Sequence, residues 1–218
     1  MLPLLTRRSG DGPLRLLAIG AHSDDIEIGC AGTILKLIEQ GAVSEVSWVV
    51  LTGERTRAEE AAASADALLC DVSGTRVILK DFRDGYFPYD GADIKQFFEE
   101  LKAELSPDLI LTHQRSDLHQ DHRVTCELTW NTFRDHLILE YEIPKYDGDM
   151  GAPNLFVPLD ESLCRKKIDH LMTHFASQAP KRWFKEDLFS GLLRLRGMEC
   201  NSPTSYAEAF YSRKATLI

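Results

Sequence analysis

The chain has 218 residues, 44% of them apolar and 27% charged, an ordinary soluble composition with room for one sizeable core. Its 25 basic against 34 acidic side chains give a formal net charge of −9, which argues against nucleic acid as a partner. No apolar run approaches the roughly 18 residues of a membrane span. Five scattered cysteines without a C-x-x-C pair, and a start without a secretory leader, read as a cytoplasmic protein with reduced thiols.

Residues 1–13 read as a loose N-terminal leader and 14–218 as a single domain. Leu14–Gly20 is almost wholly apolar, as a strand buried on both faces of a parallel sheet would be. A helix is expected over 28–40, closed by Gly41. The alternation then continues with a strand at 46–52, an alanine-rich helix at 57–70, a strand at 76–80, a helix at 94–105 and a strand at 109–112. Such alternation predicts right-handed crossovers and a Rossmann-like, doubly wound, mostly parallel sheet flanked by helices. The last third is less regular: a strand at 137–143, a loop over 144–158, helices at 163–175 and 185–196, and an extended segment at 206–211.

Two clusters carry chemistry, each directly after an apolar strand, the edge where open α/β sheets bind ligands. The first is Ala21-His22-Ser23-Asp24-Asp25 and the second runs from His113 to His122, with three of the chain's seven histidines and two aspartates in ten residues. Crowding these ionisable groups at the mouth of an apolar strand is costly unless a cation sits among them. His22 and Asp25, three apart, can face one point, which leaves Asp24 free for proton transfer. One histidine and one aspartate of the first loop with one histidine of the second meet the common zinc requirement of two His, one carboxylate and an open position.

These motifs resemble the LmbE-like, or PIG-L, deacetylase superfamily, whose Ala-His-Pro-Asp-Asp appears as Ala21–Asp25 and whose His-x-Asp-His appears as His119-Gln120-Asp121-His122. Leu51–Glu54, Arg57–Ala61, Asp84-Gly85 and His174–Gln178 also look like the family. The resemblance implies a zinc-dependent hydrolase that removes an N-acetyl group from an N-acetylglucosamine-type conjugate, a small-molecule substrate. It implies His22, Asp25 and His122 as metal ligands, Asp24 as the base that activates the attacking water, and His119 as the cation that stabilises the oxyanion and protonates the amine. Asp121 would orient His119. Ser23 replaces the motif's Pro and is expected to cap the following helix. Fe2+, Co2+ or Mn2+ also suit two His and one Asp.

Arg57, Asp117 and Arg123 are weaker candidates for substrate binding. Glu54 and Asp84 are expected to line the pocket or support its loops. His113, His136, His170 and His174 are expected to be structural. The segment 141–151 suits either a lid or a subunit contact, and relatives commonly form homo-oligomers. Two other readings compete: a related metallohydrolase acting on another amide or ester, and a non-hydrolytic nucleotide-binding module, for which Gly29-Cys30-Ala31-Gly32 would serve as the glycine-rich turn.

Overall fold

A computed structural model describes residues 12–215, so most of the expected leader lies outside the described residues. Seven strands and six α-helices follow in the order β1 (Leu14–Gly20), α1 (Asp25–Glu39), β2 (Val43–Val50), α2 (Arg55–Leu68), β3 (Gly74–Leu79), α3 (Gly91–Glu104), β4 (Leu109–His113), α4 (Gln120–Thr132), β5 (Leu137–Tyr141), β6 (Leu155–Leu159), α5 (Glu161–His174), α6 (Glu186–Glu199) and β7 (Tyr206–Tyr211). They form one sheet in the order β3-β2-β1-β4-β5-β7-β6. Strands β1 to β5 are parallel, and β7 runs antiparallel to both β5 and β6.

The strands alternate between two buried faces. Leu16 and Ala18 of β1 join one core with α1, α2, α5 and α6, while Leu17 and Ile19 join the other with α3 and α4. Both faces are covered, which is why β1 reads as a continuous apolar run. The chain reverses its winding direction between β1 and β4, which pair directly. The loops leaving these two strands therefore flank the crevice at the switch point.

Two departures from the expected elements have local causes. Helix α4 follows immediately on the second motif, yet its buried face is Thr125, Cys126, Thr129 and Thr132, so no apolar stripe announces it. Strand β6 (Leu155–Leu159) takes up the end of the stretch 144–158 expected to be loop. It is a five-residue edge strand containing Pro158, where a missing N–H costs least. The glycines after β1 are packing positions. A Cβ on Gly29 would stand 2.2 Å from the Tyr141 ring, and one on Gly32 would stand 2.5 Å from Leu159. They sit inside α1 against other elements, so the glycine-rich nucleotide turn is absent.

Candidate metal and catalytic centre

The two motif loops meet at the switch point. Helix α1 begins at Asp25, three residues earlier than the apolar spacing predicts, so the motif's second aspartate belongs to the first helical turn. His119 occupies the N-cap of α4 and places His122 in that helix's first turn. His22 Nδ1 lies 3.0 Å from His122 Nε2 and 3.3 Å from Asp25 Oδ2, and the last two are 3.5 Å apart. Ligands held about 2.0–2.2 Å from a tetrahedral zinc stand roughly 3.3–3.6 Å from each other, so this triangle has the dimensions of three corners of such a site.

The opposite ring nitrogens are tied down. His122 Nδ1 is 2.9 Å from Asp117 Oδ2, which fixes the tautomer that leaves Nε2 as acceptor. His22 Nε2 is 3.3 Å from Asp121 Oδ2 and 3.2 Å from Asp84 Oδ1, which leaves Nδ1 toward the centre. His113 Nε2 is also close, 3.1 Å from Asp25 Oδ2, but it accepts from the Ala21 amide at 3.0 Å and so has its lone pair committed. Its ring stacks on His122 with centroids 3.9 Å apart. Sets with atoms within 4.8 Å of one another are His22, His119 and His122; His22, Asp84, His119 and Asp121; and Asp25, His113 and His122. Lone pairs from a neutral donor set converging beside a carboxylate fit a divalent cation.

Asp24 is buried, and its Oδ1 lies 3.2 Å from Arg57 NH2. Its Oδ2 is buried without a hydrogen-bond partner among the described residues. Burial, then the charge of Asp25, raise the Asp24 pKa against the pull of Arg57 and His22. Burial acts in the same direction on Asp25, but His122, His113 and His22 outweigh it and hold that carboxyl well below its ordinary value. His22 is the ring whose charged form the neighbouring carboxylates favour. Burial opposes it, yet Asp25, Asp121 and Asp84 raise this ring well above its ordinary pKa. His122 is pushed down to about 3, first by burial and then by His113.

The structure redistributes several expected roles. The Asp121 carboxylate takes the Gly85 and Phe87 amides at 2.6 and 3.2 Å and faces His22, while His119 Nδ1 is held by the Asp121 backbone amide at 3.3 Å. Asp121 thus reaches His119 through its main chain, because the helix N-terminus aims that amide at the N-cap ring. The half-buried His119 has its pKa pulled down by burial and by His22. Ser23 does not cap α1: its hydroxyl is buried and unpartnered, and Asp24 occupies the N-cap position. Asp117 is buried with both oxygens committed, and Arg123 donates to the Asp117 and Leu118 carbonyls. Both residues brace the loop.

Arg57 bridges Asp24 and Asp84, the latter at 3.4 Å, and keeps a buried, unpartnered Nε. Asp84 is drawn down to about 2, first by its bond with His22. Its place beside His22 was foreshadowed only by the Asp84-Gly85 pair, and Lys145, described below, carried no signal at all. Glu54 is exposed at the N-cap position of α2. The stretch 174–178 packs against α2, where Glu60 accepts from the Ser177 amide at 2.8 Å.

A buried knot of histidine and aspartate at the switch point of a parallel sheet has the donor set that could hold a divalent cation. The chain belongs to the PIG-L family, whose GlcNAc-PI de-N-acetylase profile matches residues 17–133 and spans both motif loops. It is accordingly a hydrolase of the deacetylase type, acting on a carbon–nitrogen bond. It is 30% identical over 172 residues to the uncharacterized deacetylase YaiS of Escherichia coli (strain K12), covering 73% of this chain and 89% of that one. The fold is similar to N,N'-diacetylchitobiose deacetylase from Pyrococcus horikoshii at 24% identity and a TM-score of 0.69, over 90% of this chain and 82% of that one. It is also similar to GalB, the 4-carboxy-2-hydroxymuconate hydratase of Pseudomonas putida KT2440, at 18% identity and a TM-score of 0.73, over 94% of this chain and 98% of that one. No helix among the described residues is long and apolar enough to cross a membrane.

Proposed function

We propose that this protein removes the N-acetyl group from an N-acetylglucosamine-type conjugate, with zinc held by His22, Asp25 and His122. The observation that carries the reading is the triangle of 3.0, 3.3 and 3.5 Å among the atoms of those three residues. The family profile and the chitobiose deacetylase supply the amino-sugar class. A bound zinc ion supplies Lewis acidity, polarising the acetamide carbonyl and easing the ionisation of water.

The chain's own groups do the rest. Arg57 holds one oxygen of Asp24, and the other oxygen, unpartnered and raised in basicity by burial, takes the proton from the attacking water. His119 Nε2–H faces the tetrahedral oxygen as a hydrogen-bond donor, and the proton that Asp24 took from water passes on to the departing amine. The Asp121 amide on its Nδ1 keeps the proton of the neutral ring on Nε2. Asp121 and Asp84 orient His22. Arg57, held beside the base by its bond to Asp24 Oδ1, is the candidate to meet a sugar hydroxyl there. The five free thiols agree with action in the cytoplasm.

The test is acetate release from a panel of N-acetylglucosamine derivatives by the purified protein, with His122→Ala as control. Acetate from at least one derivative, abolished in the variant, supports the reading. Hydrolysis of other amides or esters without acetate from any sugar would move the assignment to another acyl substrate. Water addition to an unsaturated acid, the type of reaction named for GalB, would replace hydrolysis altogether.

A further inference from the structure

The loop 142–154 between β5 and β6 sends one cation down to the centre. Lys145 is almost buried, its side chain 9% exposed, with Nζ 2.9 Å from Asp117 Oδ1 and 2.5 Å from Asp149 Oδ2. The Asp117 carboxylate is divided between two tasks. Its Oδ1 meets Lys145 and accepts from the His119 amide at 2.8 Å, and its Oδ2 holds His122 Nδ1 at 2.9 Å. Asp149 closes the circuit, since its Oδ2 also accepts from the Leu118 amide at 2.7 Å. Gln114, on the same motif loop, donates to the Asp149 carbonyl at 3.4 Å.

We propose that Lys145 is a positioning residue for the metal centre, acting through Asp117 on His122, so that the β5–β6 loop is a strut of the site rather than a lid. A carboxylate can pivot about its terminal bond, and a single histidine contact leaves that pivot soft. A charge-assisted bond on the opposite oxygen fixes the carboxylate plane, and with it the direction in which His122 Nε2 points. The same ammonium balances Asp117 and Asp149, whose side chains are 1% and 2% exposed and would otherwise face each other across the loop as uncompensated anions. The inference deepens the assignment of His122 as a ligand and rests on it.

The experiment compares Co2+ affinity, measured by competition with a chelator of known affinity, in the wild-type protein, Lys145→Met, Lys145→Arg and His122→Ala. Losing a partner that orients a ligand from outside typically costs about 10–100-fold in metal affinity. Lys145→Met is expected to weaken Co2+ binding by about that factor and to alter the cobalt d–d absorption, with Lys145→Arg recovering most of both. Where Lys145→Met does not fold, the double variant Lys145→Gln with Asp149→Asn removes the charge pair together and is read in the same way. Unchanged affinity and spectrum in a folded variant without the lysine would overturn the proposal. A wild-type protein that binds no Co2+ would instead overturn the ligand assignment beneath it, so the two failures are distinct.

Discussion

Lys167 and Glu208 are buried as deeply as Asp24 and His22, at 3% exposure each against 3% and 7%, yet their surroundings are opposite in kind. Lys167 Nζ lies 2.6 Å from Glu208 Oε1 and donates to the Ile28 carbonyl at 2.6 Å, while the Glu208 carboxylate takes the Gly32 and Thr33 amides at 2.8 and 2.6 Å. One cation meets one anion, both oxygens have donors, and α1, α5 and β7 are locked together. At the switch point, five aspartates (Asp24, Asp25, Asp84, Asp117 and Asp121) and four histidines share two fixed cations, Arg57 and Lys145, and Asp24 Oδ2 has no partner among the described residues. A closed pair of charges does structural work only. An open cluster, with more acceptors than protons, is one that an ion and a substrate complete.

That contrast breaks most sharply on the catalytic side. Asp24→Asn is expected to lower turnover by about 10²–10⁴-fold with the thermal midpoint kept within a few degrees, read from initial rates beside a melting curve. Near-normal turnover would remove Asp24 from the base role. The mirror experiment is Lys167→Met, which strands Glu208. It is expected to cost about 3–5 kcal/mol of stability in denaturant titration while the specific activity of the folded fraction is unchanged. The double variant Lys167→Met with Glu208→Gln should recover part of that loss.

A smaller effect tests how the two regions are joined. Gly29 lies where α1 crosses Tyr141, whose hydroxyl donates to the Ile19 carbonyl at 2.6 Å. Gly29→Ala is expected to cost about 1–3 kcal/mol by overpacking, measured by urea denaturation. Tyr141→Phe at the same contact keeps the ring and should cost about 1 kcal/mol.

The smallest expected effect is a pH dependence. His170 bonds Ser64 at 2.8 Å, and its pKa is drawn from 6.5 to about 4, first by burial and then by His174. Its folded value lies below its unfolded one, so between these values the unfolded chain binds the extra proton. Stability therefore rises with pH from about 4 to 6.5 and is lost as pH falls through that window. His170→Gln should flatten this part of a melting-temperature profile. An unaltered slope would mean that other groups set it.

The contrast between closed and open charge also marks what could be read from the sequence. Strands β1 and β4 were legible because burial on both faces leaves runs that are mostly apolar. The motifs after them were legible because three ionisable groups in four residues have no cheap structural use. Helix α4 was hidden by a buried face of threonines, and β6 by its proline and its edge position. At the site, the converging His22, Asp25 and His122 were foreseen. The residues that aim them were not assigned to that task. Asp117 was read as a substrate contact, Asp121 as the partner of His119, and Lys145 as part of a loop of undecided use. Such supports depend on where a distant loop folds back, and no local spacing encodes that.

The most direct measurement is the metal content of the purified protein after chelator treatment and reloading with zinc, followed in wild type and in His122→Ala. About one ion per chain in the wild type and none retained by the variant is the expected result, since all three ligand atoms are needed to close the triangle. Equal zinc retention by both proteins, or none by the wild type under any loading condition, would contradict the assignment of the switch-point cluster as a metal centre.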